Sequence, residues 1–225
     1  MAVAYDTDTQ ALQNVSVSTV TFSHTVTGAN PAIVVFVDLI GTAQTVSSVT
    51  YAGASLSSIG ALDNNNVNPC RIEAWALANC ASGANNVVVT LSANNSAWDA
   101  SAISFTGAHQ TQGSNFTGFQ SANLGSASTG TVTVTTGATG DMVVDATVST
   151  SNNGTTAGAG QTQQWRDNAG NTNTQGSTKA GGASVDMVEN WDGTGFTKSL
   201  VALNVVQVAA AFDELISSRL LLSVP

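Results

Sequence analysis

Short runs rich in Val and Thr recur along the whole chain, and Gly, Asn and Ser separate each run from the next. β-Branched residues favour strands, and regularly spaced short strands are typical of a β-sandwich or a barrel. The pattern therefore predicts an all-β fold. The predicted strands cover residues 15–24, 32–39, 46–51, 71–77, 86–92, 98–105, 131–135, 142–150, 162–166, 172–179, 184–191 and 196–208.

Two kinds of strand are expected from the apolar periodicity. Residues 131–135 alternate strictly between Thr and Val, which predicts one buried face and one wet face. Residues 33–37 and 87–89 are continuously apolar, as expected where both faces of a sheet are covered. In the first strand the apolar parity changes between Val17 and Val20, which predicts a β-bulge near residues 18–19.

The chain also resembles itself. Residues 28–35 align without gaps on residues 137–144, and residues 98–105 resemble residues 197–204. We interpret these matches as two similar halves of one sandwich, although unrelated Val/Thr-rich strands would also look alike. The expected organisation is an N-terminal arm (1–14), a β-sandwich domain (15–208) with halves 15–107 and 129–206, and a C-terminal helix or arm (209–225). Residues 108–129 between the halves are expected to form a surface excursion.

The last segment differs from the rest because its apolar residues recur at helical spacing. Asp213 and Glu214 lie early in it and Arg219 lies late, which complements a helix dipole. We expect this helix or arm either to dock on its own domain or to contact another subunit. The candidate assembly contacts are Phe212, Leu215, Ile216, Leu220, Leu221 and Leu222.

Charged residues make up only 8% of the 225 residues, with 5 Lys and Arg, 14 Asp and Glu and a net charge of −9. An acidic chain without a basic cluster is a poor ligand for nucleic acid or for an anionic membrane. The first residues lack the basic and apolar regions of a secretory signal. Cys70 and Cys80 flank a predicted strand, which would hold them too far apart to form a disulfide.

Few residues offer catalytic chemistry, so we expect no enzyme, no cofactor and no metal centre. His24 and His109 are expected to be structural or solvent-exposed, and Asp186 and Glu189 differ in strand parity, which separates them onto opposite faces. Calcium remains an alternative at residues 6–8 and 63–66, although tight turns explain the same Asp and Asn residues.

The tryptophans allow a second interpretation of the chain as a carbohydrate-binding module. Trp75 lies in an apolar strand and is expected in the core. Trp165 precedes Arg166, and Trp191 precedes Asp192, each before a loop rich in Gly, Asn or Thr. An aromatic face beside planar polar groups is suited to sugar binding, so these four residues form the candidate glycan site.

Several packing and turn motifs resemble a recurrent jelly-roll-like β-sandwich module of bacteriophage virion proteins and bacterial surface proteins. They are Thr25-Val-Thr-Gly-Ala-Asn30, Ile33–Val37, Ser48-Val-Thr-Tyr-Ala-Gly53, Arg71-Ile-Glu-Ala-Trp75 and Ser101-Ala-Ile-Ser-Phe-Thr-Gly107.

The resemblance implies a jelly-roll-like antiparallel sandwich of about 12 strands. It also implies a non-enzymatic structural protein of a phage virion, such as a capsid decoration (cement) protein or a tail component. Such a protein folds in the host cytoplasm and binds copies of itself and other virion proteins, such as the major capsid protein. The alternative is a lectin-like module at the cell surface or outside the cell.

Overall fold

The computed structural model describes residues 1–13, 15–66, 68–135, 137–150, 154–167, 173–194 and 196–208. The described chain is all-β, as predicted, and consists of strands joined by turns and loops. The strands are β1 (Ala4–Gln13), β2 (Val17–Val26), β3 (Ala32–Ile40), β4 (Val46–Tyr51), β5 (Ala54–Ser55), β6 (Ser57–Asn64), β7 (Cys70–Ala78), β8 (Gly83–Asn95), β9 (Trp98–Thr106), β10 (Phe116–Asn123), β11 (Thr129–Val134), β12 (Met142–Ser149), β13 (Thr155–Ala157), β14 (Thr162–Asp167), β15 (Asn173–Ala180), β16 (Val185–Trp191) and β17 (Lys198–Val205).

These strands form four antiparallel sheets, two from each half of the chain. In the first half, the inner sheet has the order β1-β9-β3-β7-β6 and the outer sheet the order β2-β8-β4-β5. In the second half, the inner sheet has the order β10-β17-β12-β15-β14 and the outer sheet the order β11-β16-β13. Each half thus pairs a five-stranded inner sheet with a smaller outer sheet.

Three hydrophobic cores separate the four sheets. The first-half core lies between the outer and inner sheets of the first half and contains Val35 and Trp98. The second-half core lies between the corresponding sheets of the second half and contains Val143 and Met187. The interface core joins the two inner sheets, and its residues include Phe36, Ile72 and Ile103 from the first half and Val144, Trp165 and Val201 from the second.

The two halves have the same strand order. Strands β1, β9, β3, β7 and β6 correspond in sequence to β10, β17, β12, β15 and β14, and each set forms one inner sheet in that order. The outer-sheet order β2-β8-β4 corresponds in the same way to β11-β16-β13. The contacts between the halves are reciprocal, because β1 lies against β14 and β10 lies against β6. Such reciprocity is the property of an isologous, two-fold interface, here within one chain.

The register shows that the gapless internal alignment is shifted by one residue. That alignment matches Val35 with Val144, but Val35 faces the first-half core whereas Val144 faces the interface core. Because side chains alternate between faces, a shift of one residue exchanges the two cores. The backbone hydrogen bonds from Ile40 N to Ala97 O and from Thr150 N to Thr197 O occupy matching places. When these two hydrogen bonds are superimposed, Val35 corresponds to Asp145 and Trp98 corresponds to Lys198.

Of the finer strand predictions, three are confirmed and one is wrong. Burial alternates along β11 between the exposed Thr and the buried Val residues, as expected. The register shifts between Val17 and Thr19, where the bulge was expected. All eight residues from Ala32 to Leu39 are buried, so both faces of β3 are covered. In β8, however, Val88 is only half-buried between the buried Val87 and Val89. Only one face of β8 packs on a core, because β8 belongs to an outer sheet.

The strands that the sequence did not predict are polar or short. The segment expected to be an N-terminal arm contains β1, which pairs with β9 along the edge of the first inner sheet. The segment expected to be a surface excursion contains β10, which pairs with β17. Neither strand has a clear apolar period, so pattern alone could not identify them. The same holds for β5, β6 and β13.

Trp165 closes one side of the interface core. Its ring lies 5.9 Å from the ring of Phe36, measured between centroids. It also covers the backbone of Gly176 so closely that a Cβ there would overlap the indole. Glycine at this position lets the indole lie directly on β15.

Replacing Trp165 by Ala should therefore destabilise the whole chain, by about 3–5 kcal/mol, because it opens a cavity between the halves. The matched control is Gln163→Ala, an exposed residue of the same strand, which should change stability by less than about 0.5 kcal/mol. Urea unfolding followed by circular dichroism measures both. Equal effects of the two substitutions would contradict this arrangement of the core.

Candidate functional site

The most unusual chemical feature of the second half is a pair of carboxyl groups inside its core. Asp145 on β12 and Glu189 on β16 are both completely buried. Asp145 lies on the face of β12 that carries Val143, and Glu189 lies on the face of β16 that carries Met187. Both carboxyl groups therefore point into the space between the second inner and outer sheets.

Amide and hydroxyl donors surround this acid pair. Ser177 donates to Asp145 Oδ1 through its backbone N (2.7 Å) and its Oγ (2.8 Å). Gln175 Nε2 donates to Glu189 Oε2. Gln161 Nε2 approaches both carboxyl groups, at 3.2 Å from Asp145 Oδ2 and 3.4 Å from Glu189 Oε1.

Gln161 separates the acid pair from solvent. It is half-buried and lies in the turn between β13 and β14. Its Oε1 accepts a hydrogen bond from Val188 N at 2.7 Å, and its Nε2 donates to Ser177 Oγ at 2.7 Å. These bonds fix the amide over the pair, so the carboxyl groups are enclosed by protein on the side where the turn meets β16.

The corresponding part of the first half is apolar. Val35 occupies the position of Asp145, since Val35 pairs with Ala102 of β9 as Asp145 pairs with Ala202 of β17. The inward-facing residues in the middle of β8 are Val87, Val89 and Leu91, all buried, where β16 carries Glu189. The second half therefore holds two acids where the first holds aliphatic side chains. Replacing such a buried polar group by apolar residues is often neutral or stabilising, so its presence is not explained by stability alone.

The pKa values of both carboxyl groups in the acid pair are raised. Burial raises the pKa of Asp145 despite the donors from Ser177. Burial, followed by the negative charge of Asp145, raises the pKa of Glu189 well above its ordinary value. Both shifts favour the protonated form, because two negative charges this deep in the core would repel each other. Both carboxyl groups are enclosed by protein, and their nearest polar neighbours are the donors of Ser177, Gln175 and Gln161.

The prediction that Asp186 and Glu189 face apart is confirmed, because Asp186 is exposed and Glu189 is buried. The true partner of Glu189, Asp145, lies on a distant strand, so local spacing could not find it. One signal was available in the sequence. Asp145 interrupts a run of buried apolar residues in β12, where a charged residue is rare unless it is paired.

A buried cation lies at one end of the same core. Lys198 is completely buried. Its Nζ donates to the carbonyl oxygens of Ala127 and Gly193, each at 2.7 Å, and lies 5.5 Å from the ring centroid of Trp191. Burial lowers its pKa. Lys198 occupies the position that Trp98 fills in the first half, so carbonyl groups and an aromatic ring there replace an apolar contact.

The structure does not join the four candidate glycan-binding residues into one exposed site. Trp165 is 3% exposed within the interface core, and Trp191 is 4% exposed beside Lys198. Arg166 and Asp192 are exposed, and their charged groups lie together against Gly154. A sugar could stack on either indole only after displacing core contacts. The expected aromatic platform is therefore not presented at the surface.

The histidines and cysteines have structural surroundings. His24 is buried, its Nδ1 lies 3.1 Å from Thr9 Oγ1, and burial lowers its pKa. His109 is half-buried, and its Nδ1 accepts a hydrogen bond from Thr111 N. Cys70 and Cys80 are free and buried, as expected. Burial raises their pKa values to about 11 and about 12, so neither is a reactive thiolate at neutral pH.

The two stretches considered for calcium already have protein donors. Asp6 accepts hydrogen bonds from Thr27 N (2.8 Å) and Ser104 Oγ (2.8 Å). Asp63 forms an ion pair with Arg71. Asn64 donates from Nδ2 to Lys198 O at 2.8 Å, which joins the two halves. Within the described ranges, three or more His, Cys, Asp or Glu side chains do not converge in a metal-binding arrangement. Trp75, expected in the core, is half-buried against the first-half core.

The six apolar residues predicted as assembly contacts, from Phe212 to Leu222, lie outside the described residues, as does the expected C-terminal helix. The described chain leads towards them through a bridge between Ala108 and Gln207 and a hydrogen bond from Val208 N to Gly107 O. In the part that the structure describes, there is no helix long and apolar enough to cross a membrane.

Comparison with known proteins adds no assignment. The chain matches no protein-family model, and no curated protein or solved structure is significantly similar to it.

The acid pair makes stability depend on pH. A carboxyl group with a raised folded-state pKa contributes fully below its unfolded pKa, near 3.8 for Asp and 4.5 for Glu. The contribution is lost as pH rises through the folded-state values. The protein should therefore melt at a higher temperature at about pH 5 than at about pH 9. Glu189→Gln, which keeps an amide donor for Asp145, should reduce the loss between these two pH values by more than about 1 kcal/mol.

The matched control for this prediction is Asp186→Asn, on the exposed face of the same strand. It should leave the pH dependence of the melting temperature unchanged. If Glu189→Gln and Asp186→Asn give the same profile as the unmodified chain, the acid pair does not govern the alkaline loss of stability.

Proposed function

We propose that each half is a jelly-roll module and that the chain is a non-enzymatic structural protein of a bacteriophage virion. The strand order supports the jelly roll. Without β6, which extends the inner sheet, the first half has eight strands. The inner sheet then has the order β1-β9-β3-β7, which are the first, eighth, third and sixth of these strands. The outer sheet has the order β2-β8-β4-β5, which are the second, seventh, fourth and fifth. This is the order of an eight-stranded jelly roll, an architecture that occurs in viral capsid proteins and lectins.

The observation that carries the functional proposal is the stacking of two such halves, with titratable pairs enclosed inside the second half and between the halves. The carboxyl pair of Asp145 and Glu189 is buried, and so is the pair formed by Asp38 and Asp99. A rigid body whose unusual chemistry faces inward is suited to making contacts rather than to turning over a substrate. The proposed place of action is the virion, as a capsid decoration protein or a tail component.

The proposed contacts lie on the polar surface and in the terminal segment. Among the described residues, Met1 and Val15 are the exposed large hydrophobic side chains, so the described surface offers no extended apolar patch. The apolar residues of segment 209–225 are therefore the proposed anchor. The partners would be further copies of this chain and other virion proteins, such as the major capsid protein.

The carbohydrate-binding alternative has weaker support. A jelly roll also occurs in lectins, but Trp165 and Trp191 are buried. A glycan that bound through these tryptophans should change their fluorescence. If the chain is a structural protein, a series of different glycans should leave the tryptophan fluorescence unchanged.

The test of the assembly proposal is the oligomeric state of the full chain by light scattering across a micromolar concentration series. We expect oligomers that dissociate when Leu220, Leu221 and Leu222 are all replaced by Ser. The matched control replaces Ser217 and Ser218 by Ala and should leave the oligomers intact. A full chain that stays monomeric throughout, with or without the leucines, would contradict self-assembly through this segment.

A further inference from the structure

A second carboxyl pair lies between the two halves. Asp38 on β3 and Asp99 on β9 are direct partners across the first inner sheet, and both are buried. Side chains directly opposite on antiparallel strands lie on the same face, with Cβ atoms about 4.5–5.5 Å apart. Asp38 shares its face of β3 with Phe36, which belongs to the interface core. Both carboxyl groups therefore point towards the second half.

These carboxyl groups have few donors. Both oxygens of Asp38 and Oδ1 of Asp99 are without a hydrogen-bond partner in the described part of the chain. Asp99 Oδ2 accepts a hydrogen bond from Thr174 Oγ1 of the second half at 2.7 Å. Ser101 is also completely buried on the same face of β9, two residues from Asp99.

The surroundings of Asp38 and Asp99 differ from those of Asp145 and Glu189. That pair accepts hydrogen bonds from the amides of Gln161 and Gln175 and from Ser177. Within the described part of the chain Asp38 has no such donor, and burial together with the neighbouring carboxyl group of Asp99 raises its pKa. Burying a charge is very costly unless the charge is paired or coordinates a metal. The two carboxyl groups must therefore be neutralised by a bound cation or by a proton.

We propose that Asp38 and Asp99, with the hydroxyl groups of Ser101 and Thr174, form a calcium site between the two halves. Two carboxylates and two hydroxyls supply up to six oxygen atoms, and Ca²⁺ takes about 6–8 oxygen ligands. One divalent cation balances the two negative charges. Because Thr174 belongs to β15 and the other three residues to β3 and β9, the cation would hold the halves together.

The four proposed ligands all supply oxygen, which Ca²⁺ prefers, whereas Zn²⁺ and Cu⁺ prefer nitrogen and sulfur. Mg²⁺ usually keeps several waters in its octahedral shell, which this enclosed position does not favour. Calcium bound only in the folded chain would stabilise it by mass action.

The experiment measures bound metal in the purified full-length protein by mass spectrometry, then compares melting temperatures in EDTA and in Ca²⁺. We expect about one Ca²⁺ per chain and a higher melting temperature with Ca²⁺. Asp38→Asn should abolish both effects. Thr174→Val, which removes a ligand while conserving volume, should weaken Ca²⁺ binding roughly tenfold or more. Mg²⁺ should replace Ca²⁺ poorly.

Glu189→Gln is the matched control, because it alters the other acid pair and should leave Ca²⁺ binding unchanged. If Asp38→Asn does not fold, Thr174→Val and the metal content of the unmodified chain decide the question. Absence of bound calcium together with equal melting temperatures in EDTA and Ca²⁺ would overturn the proposal. In that case a shared proton neutralises the pair, and Asp38→Asn should stabilise the protein at alkaline pH without any response to calcium.

Discussion

Between the two inner sheets lies a core in which Phe36, Ile72 and Ile103 of one half contact Val144 and Val201 of the other. Burial of apolar surface contributes roughly 25 cal/mol per Å², and this core covers the second face of both inner sheets. Since β3, β9, β12 and β17 are buried on both faces, water cannot satisfy their polar groups. Each polar residue on these strands must therefore be satisfied inside the protein, by another side chain, by backbone or by a bound ion such as the proposed calcium.

The two halves meet this requirement differently although their strand order is the same. The first half fills its own core with Val35, Tyr51 and Trp98, whereas the second uses Asp145, Glu189 and Lys198 in a hydrogen-bonded setting. The same strand order thus accommodates aliphatic side chains in one half at positions where the other half buries Asp145 and Glu189. Composition does not reveal this difference. Only 8% of the residues are charged, and several of these few residues are buried inside the fold.

The sequence could predict the strands that alternate or are continuously apolar, and the structure contains a strand at each of those places. It could not predict β1 or β10, because their polar residues gain order only by pairing with β9 and β17. The internal repeat was visible, but its alignment slipped by one residue, since Val-rich strands match in either register. The carboxyl pairs were invisible to local spacing, because packing of the second inner sheet on its outer sheet brings Asp145 near Glu189, and pairing of β3 with β9 brings Asp38 near Asp99.

The central claim is that the two halves form one cooperative unit through the interface core. Native-state hydrogen exchange tests it most directly, because it reports the opening free energy of each strand. If the halves open together, the amides of β3, β9, β12 and β17 exchange last and with one common free energy. The claim would be contradicted if the inner sheet of one half opened at a free energy lower by more than about 2 kcal/mol while the other half stayed protected.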